Sequence, residues 1–357
     1  MTGRPRWRLA RRPVVGPRQQ VQALALALVG AALVSALLLR VANADPVAGF
    51  VALYQGSFGS WPVAVESLVK AIPLILTGLG TTVAFRGRVW NIGQEGQLYA
   101  GAITAYWAYV TFPSLPRLPL ILLILTFAMV GGALWGLVAG IIRVKAHVDE
   151  IITTIMLNYI VVYILSLLLS GVWRDPTSYY QQSPTVGASA QFPALIDGTR
   201  LHIGFAVGLI AAIAIYVLIE KTPLGYEIRA LGLNPTAAGF QGIHVARTIL
   251  VLMLVSGSLA GLAGAGELFG NHYRLKAGIS LGFGYTGIII AMLAGLEPLA
   301  IVPAAIFFGG LVNGSYMLQI ATGVPAALVS AIQAITLLFL LGGRAAVSYQ
   351  IRIVRDG

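Results

Sequence analysis

A run of polar side chains, Asn91-Ile92-Gly93-Gln94-Glu95-Gly96-Gln97, stands at the start of a strongly apolar stretch. A bilayer tolerates amides and a carboxylate at such a place only where they face protein or water. These groups can exchange hydrogen bonds with a polar solute, so Gln94 and Glu95 are candidates for a polar pathway. Glu95, near a helix N-terminus, could equally be structural, either by capping backbone amides or by pairing with Arg86 or Arg88.

Three further polar residues lie within apolar runs and extend the list of pathway candidates: Asn158, Glu267 and Asn313. For Asn158 and Asn313 an interhelical hydrogen bond is the favoured alternative. Glu267 could gate the mouth of a pathway or pair with Arg274, and the pair is favoured.

The elements that position these residues must be membrane helices. Hydrophobic residues make up 58% of the 357 residues, charged residues 10%, and the mean hydropathy is +0.86, whereas soluble domains carry about 25% charged residues. We predict an all-α, polytopic integral membrane bundle of about ten transmembrane helices. The predicted spans are 22–41, 64–85, 91–112, 118–142, 151–171, 201–219, 247–269, 284–297, 299–319 and 322–342.

The distribution of positive charge predicts the orientation. Sixteen Lys and Arg residues fall on the side of the N-terminal tail and seven on the opposite side, which places both termini in the cytoplasm. The net charge of +11 is a topology signal and does not indicate nucleic-acid binding. We predict a basic cytoplasmic tail (1–21), a single transmembrane domain (22–343) with an external loop at about 172–200 and an internal loop at about 221–246, and a cytoplasmic C-terminal tail (344–357).

Small residues recur every four positions in two of the predicted spans: Gly132, Gly136 and Gly140, and Gly257, Gly261 and Ala265. Such spacing lets helix backbones approach closely. The two stripes align as a candidate inverted repeat, since their spans would run in opposite directions. Tight packing is the main prediction.

The internal loop contains a short helix signal. Asn234 is a favoured N-cap and Pro235 a favoured first helical residue, so 236–241 is predicted to form one or two turns that end at Gly242. A helix this short needs a partner surface to persist. That surface is either the protein's own inner face or another protein.

Three segments together resemble a known family. Asn91 to Leu98, the Ala230-Leu-Gly-Leu-Asn-Pro-Thr-Ala-Ala stretch, and Ser256 to Gly264 are similar, in order and spacing, to permease subunits of bacterial ABC importers. The similarity is to the nucleoside and simple-sugar branch of the branched-chain amino acid/ribose-type permeases, and it covers about residues 60–343. The arginine-rich tail lies outside it.

The resemblance implies partners and a site of coupling. We expect a separate cytosolic ABC ATPase, a second permease subunit (identical or a paralogue), an extracytoplasmic solute-binding protein or lipoprotein, and a bacterial cell membrane as location. No phosphate-binding Gly-x-x-x-x-Gly-Lys-Ser/Thr loop occurs, so ATP hydrolysis is expected on another chain and no cofactor or metal on this one. The residues carried over as the ATPase-coupling segment are Gly232, Asn234, Pro235, Thr236, Ala237, Ala238, Gly239 and Gly242.

The inventory of polar groups suits an uncharged, polar solute. Nucleosides are the predicted substrate, with simple sugars as the alternative and other ring-bearing solutes such as a vitamin also open. An intramembrane enzyme would need a nucleophile and base or clustered metal ligands, and His147-Val148-Asp149-Glu150 is the nearest candidate. A proton- or sodium-driven carrier is the other alternative, and it would work without ATPase subunits.

Overall fold

The computed structural model describes residues 6–11 and 16–354 of the chain. Within these ranges the chain forms thirteen α-helices, one π-helix and two short strands. They are β1 (Arg6–Arg11), α1 (Pro17–Val41), α2 (Pro46–Phe58), α3 (Trp61–Arg86), α4 (Gln94–Thr111), α5 (Arg117–Ala146), α6 (Glu150–Ser170), α7 (Gly204–Lys221), α8 (Pro223–Leu233), α9 (Pro235–Phe240), α10 (Val245–Ala265), the π-helix (Gly266–His272), α11 (Phe283–Leu293), α12 (Pro298–Thr322), α13 (Ala326–Ser348) and β2 (Tyr349–Val354).

Eight helices of the described part are long and apolar enough to cross a membrane, which confirms the predicted helical membrane fold. Each of the ten predicted spans coincides with one helix, but two of them depart from a full apolar span. Helix α4 is not among the eight because its first turn carries Gln94, Glu95 and Gln97. Helix α11 has only 11 residues, which is about half of a crossing.

Two helices are absent from the sequence prediction. Helix α2 follows Asp45, whose side chain accepts a hydrogen bond from the Val47 amide at 3.1 Å. Helix α8 follows Thr222, whose hydroxyl accepts from the Gly225 amide at 3.1 Å. Both have proline at the first helical position, so they begin with the same local signal that predicts α9.

The chain divides into two compact units, 60–310 and 1–59 together with 311–357. In the second of these, α1 packs on α13, where Gly30 contacts the ring of Phe339, and β1 pairs antiparallel with β2. Positions 1–5, 12–15 and 355–357 of the predicted tails lie outside the described residues, and the subdivision into two tails and one membrane domain stays a prediction.

The unit 60–310 is organised around two buried helices, α3 and α10. Helix α10 packs against α3, α4 and α5. Its contact with α5 joins the two predicted small-residue stripes directly, because Gly132 lies against the carbonyl group of Gly257 and Gly261 against that of Ala128. Contacts then continue from Gly140 to Met253, so the helices are antiparallel and the predicted tight packing is confirmed.

Candidate functional site

The polar segment at the start of α4 is buried and tied to two neighbouring helices. The side-chain amide of Asn91 donates to Gln97 Oε1 at 3.0 Å and to Ser256 Oγ at 2.9 Å, and Gln97 donates back to Asn91 Oδ1 at 3.1 Å. The Ser256 hydroxyl in turn donates to the carbonyl oxygen of Gly80 in α3 at 2.8 Å. This network joins α3, α4 and α10.

Gln94 belongs to the same network. Its Nε2 donates to Ser256 Oγ at 2.5 Å, and its side chain has no exposed surface. Gly80 must be small here, because a methyl group on it would lie 2.7 Å from the backbone carbonyl oxygen of Ser256 as well as 2.7 Å from Gln94 Oε1. In this conformation Gln94 therefore holds helices together and has no access to a solute.

Asn158 of α6 forms hydrogen bonds with the backbone at the beginning of α4. Its Oδ1 accepts from the Gly96 amide at 2.8 Å, and its Nδ2 donates to the Ile92 carbonyl and to the Tyr285 hydroxyl, both at 3.1 Å. The Gly96 amide is one of the first-turn donors that lack a partner within their own helix. The interhelical role weighed for Asn158 is thus observed, and it places the Tyr285 hydroxyl beside α4.

Glu95 caps a different helix from its own. Its Oε2 accepts from the amide of Gly284, in the first turn of α11, at 2.8 Å. The Ser280 hydroxyl accepts from the Phe283 amide at 3.1 Å and also interacts with the Glu95 carboxylate. A carboxylate at a helix N-terminus is favourable because it neutralises unpaired amides and opposes the helix dipole. Of the structural alternatives for Glu95, amide capping is the one observed.

Helix α11 is the second half of a discontinuous crossing. Beyond the π-helix, the chain returns as an irregular segment, 273–282, before α11 begins. The Phe283 carbonyl accepts from Thr77 Oγ1 at 3.1 Å, and the Leu296 carbonyl, just after α11, accepts from Arg86 Nε at 2.9 Å. Helix α11 therefore runs parallel to the second half of α3.

Backbone polar groups of the irregular segment form hydrogen bonds with residues from elsewhere in the same unit. Tyr99 of α4 donates its hydroxyl to the Ala277 carbonyl at 2.7 Å, and Leu275 exchanges hydrogen bonds with Ser183 at 2.9 Å. Non-helical backbone at membrane depth is tolerated only where it is buried in protein or lines a water-filled cavity. Half-helices that meet such segments form the solute sites of many transporters.

The helix break also has an exposed side, which we call the break surface: Tyr159, Gly278, Leu281 and Tyr285. Leu281 is 60% exposed and Tyr285 is 41% exposed, while Glu95 and Asn158 lie directly behind them. Tyrosine rings and their hydroxyls dominate this surface. It can stack on a flat ring and exchange hydrogen bonds with a neutral polar molecule.

Glu267 lies in the π-helix and does not form the favoured pair with Arg274, so that prediction was wrong. Its Oε2 accepts from Asn271 Nδ2 at 2.9 Å and lies 3.4 Å from His272 Nε2. Arg274 instead pairs with Asp175 in the loop 172–203, at 2.9 Å. Both residues of the predicted pair have other partners, because Glu267 is taken up by Asn271 and His272 of its own π-helix while Arg274 lies beyond the helix, next to Asp175.

Asp175 anchors that loop. Hydrogen bonds from Thr177 and the neighbouring Arg274 guanidinium hold the pKa of its carboxyl below the ordinary value. Asp175 was not singled out from the sequence, since its partner is 99 residues away.

Asn313, the last predicted pathway residue, is a partly exposed residue of α12 in the other compact unit. The three residues that the structure brings together are thus Gln94, Glu95 and Asn158.

The predicted short helix of the internal loop is confirmed as α9. Asn234 Oδ1 accepts from the amides of Thr236 and Ala237 at 3.0 and 3.2 Å, and Pro235 is the first helical residue. Gly242 follows the helix with φ +84°, a conformation that favours glycine.

The segment around α9 has an inner and an outer side. Gly232 packs on the Arg86 carbonyl and Ala238 is buried. Gly239 has open space on its Cβ side, while Phe240 is 90% and Leu233 is 77% exposed. Leu233 ends α8 and Phe240 ends α9, a helix too short to be stable alone. Two large, exposed apolar side chains on either side of α9 indicate a contact with another molecule.

A helical membrane bundle with a discontinuous helix, buried polar groups at the break and an exposed helical tip defines the class of solute permeases. Comparison with known proteins gives the family. Residues 63–341 match the family described as branched-chain amino acid transport system / permease component, and the chain belongs to it. It is a multi-pass membrane protein.

Several relatives are ABC transporter permease proteins, a class of transport subunit that is not itself enzymatic. The chain is 36% identical to the guanosine ABC transporter permease NupP of Bacillus subtilis, over 89% of this chain and 91% of NupP. It is 34% identical to the nucleoside permease NupB of Lactococcus lactis, over 88% of this chain and 89% of NupB. It is also 34% identical to the glucose permease TsgB13 of Haloferax volcanii, over 93% of this chain and 88% of TsgB13.

The Glu95 cap makes a prediction about stability. Glu95→Ala leaves the Gly284 amide without its acceptor and should lower the free energy of unfolding by about 1–3 kcal/mol, measured as thermal stability in detergent. Glu95→Gln keeps a side-chain oxygen that can accept from the Gly284 amide, so this variant should retain most of the native stability. Equal stability of the alanine variant and the native protein would contradict the capping role.

Proposed function

We propose that this chain is the permease subunit of an ABC importer that carries nucleosides. The observation that carries the proposal is its identity of 34–36%, over nearly the whole length, to permeases named for guanosine and for nucleosides. A simple sugar is the second candidate, and the 34% identity to a glucose permease favours it.

The proposed solute pathway passes the break surface. Gln94, Glu95, Asn158 and Glu267 remain the proposed polar residues of this unit, with Gln94 acting only indirectly by holding α4 against α3 and α10. Asn313 of the other compact unit stays a separate pathway proposal from the sequence. The Tyr285 ring can stack on a nucleobase, while its hydroxyl stays oriented by Asn158. The surface presents no exposed cation among its residues, which suits an uncharged solute.

The proposed motor of transport is a separate ATPase subunit, which binds the coupling segment. We define this segment as Gly232 with Asn234 to Gly242. Its outer side presents Gly239 and Phe240, next to the exposed Leu233 at the end of α8, and Gly232 on its inner side rests on the Arg86 carbonyl of α3. ATP-driven closure of the motor would pull this segment and switch the permease between inward and outward states, a rigid-body transition.

The remaining partners and the orientation follow the same proposal. A second permease subunit, identical or a paralogue, completes the pathway, and an extracytoplasmic binding protein or lipoprotein delivers solute on the side of the loop 172–203. Both termini lie in the cytoplasm of a bacterial cell, as the excess of Lys and Arg on that side supports.

Uptake in cells tests the substrate. Deleting this chain from a strain that carries the complete transporter should reduce uptake of radiolabelled guanosine at least tenfold, and the cloned chain should restore it. Labelled glucose, measured in the same cells, is the matched control. Unchanged guanosine uptake with lost glucose uptake would replace the nucleoside by the sugar, and active uptake by the purified chain alone would exclude an ABC permease.

A further inference from the structure

The half-helix α11 is held at both ends by one short piece of chain, the 86–95 connector between α3 and α4. Glu95, at one end of the connector, accepts from the Gly284 amide in the first turn of α11. Arg86, at the other end, donates from Nε to the Leu296 carbonyl at 2.9 Å and pairs with Glu297 at 2.5 Å, just beyond the last turn of α11. The Glu95 carboxylate lies at the N-terminus of α11 and the Arg86 guanidinium lies just past its C-terminus, so both charges complement the dipole of α11.

Arg86 stabilises an unusual turn. The connection between α11 and α12 has positive φ values at two consecutive residues, Gly295 (+72°) and Leu296 (+59°). A left-handed leucine is unfavourable and persists only where its surroundings hold it. Two contacts to this turn come from the Arg86 guanidinium, which reaches the Leu296 carbonyl and Glu297, and the same guanidinium lies 3.5 Å from Glu220 of α7. Release of Arg86 would therefore allow this turn to relax.

The coupling segment rests on the same connector. The backbone of Gly232 lies directly against the Arg86 carbonyl oxygen, so tightly that no side chain fits between them. Glu220, at the end of α7, lies between two arginines: Arg86 at 3.5 Å and Arg229 of α8 at 3.7 Å. A displacement of α8 and α9 must therefore displace Arg86 or break these contacts.

We propose that Arg86 is the positioning residue that transmits movement of the coupling segment to the half-helix α11. When the motor pulls the coupling segment, Gly232 and Glu220 shift the Arg86 end of the connector. Arg86 then moves the Leu296 turn and with it α11, while Glu95 keeps the other end of α11 beside α4. The break surface, which α11 carries through Tyr285, changes shape as a result. This inference rests on the proposed ATP-driven function.

Transport and ATP hydrolysis should separate in an Arg86 variant. In the complete transporter complex, Arg86→Gln should keep ATP hydrolysis within about twofold of native while lowering guanosine uptake at least tenfold. Arg86→Lys retains the positive charge but lacks the planar set of N–H donors of the guanidinium, so uptake with this variant should lie between those of Arg86→Gln and the native protein. Arg200→Gln is the matched control: it removes the Glu66 ion pair, which also joins two elements of this unit but does not contact the coupling segment.

A distance measurement tests the transmission independently of the substrate. This chain has no cysteine of its own, so spin labels can be attached to it at introduced Met292→Cys, near the Leu296 end of α11, and Val172→Cys, both at exposed positions. Addition of ATP and vanadate, which arrests the ATPase with ADP and vanadate bound, should shift the label distance in the otherwise native complex and leave it unchanged with Arg86→Gln. The same shift in both, or no shift in the native complex, would overturn the inference. Failure of guanosine uptake with a normal Arg86-dependent shift would instead reject only the proposed substrate.

Discussion

Gly239→Trp is expected to abolish transport while leaving the permease folded. Nothing lies within 4 Å of a Cβ atom built on Gly239, and the neighbouring Phe240 is exposed, so we expect the indole to project outward from α9 without disturbing its own chain. A docked ATPase would meet it directly. We expect binding of the ATPase to weaken at least tenfold, which corresponds to about 1.4 kcal/mol, measured by co-purification and titration in detergent.

A graded series separates docking from folding. Gly239→Ala should bind nearly as well as the native protein, because the methyl group is small and alanine favours a helix, and Gly239→Leu should be intermediate. Gly16→Trp, at another open glycine, is the control for a bulky surface side chain. If Gly239→Trp assembles normally with the ATPase, α9 is a connecting segment and not the docking site.

Gly261→Ala is expected to be the most damaging single methyl addition of those considered. Gly261 lies where α4, α5 and α10 meet, because Gly101 approaches its Cα and its own Cβ position is occupied by the Ala128 carbonyl. These contacts are backbone atoms and cannot rotate away, so whole helices must shift. Overpacking of this kind costs about 1–3 kcal/mol or more, which should appear as a lower midpoint of thermal unfolding and less monodisperse protein.

The matched control is another glycine within a membrane helix. Gly342 of α13 has nothing within 4 Å of its Cβ position, so Gly342→Ala should be neutral or slightly stabilising. Equal behaviour of the two alanine variants would show that the α5–α10 contact is looser than the structure has it.

The features predicted correctly from the sequence are local ones. The positions of the membrane helices depend on the length of apolar runs, and the start of α9 depends on Asn234 and Pro235 next to each other. Close packing of α5 and α10 was also predictable, since four-residue glycine spacing marks a face that can approach another backbone. The missed helices α2 and α8 carry the same Asp-Pro and Thr-Pro signals.

The partners of charged and polar residues were not predictable. Glu95 finds the Gly284 amide 189 residues further along the chain, and Asn158 joins Ile92 to Tyr285. The favoured Glu267–Arg274 pair relied on closeness in sequence, but the π-helix and the turn after it separate the two side chains. The sequence marked Glu95 as important without showing that it caps a half-helix.

By itself, the sequence determined that this is a membrane protein, where its long apolar helices lie and where the short helix α9 begins, because apolar length, caps and glycine spacing act between near neighbours. Only the tertiary structure decided that α11 is half a crossing, held by Glu95 and Arg86, and that the coupling segment lies on the same connector. In a bilayer every buried polar group needs a partner, and that partner is chosen by how the helices pack.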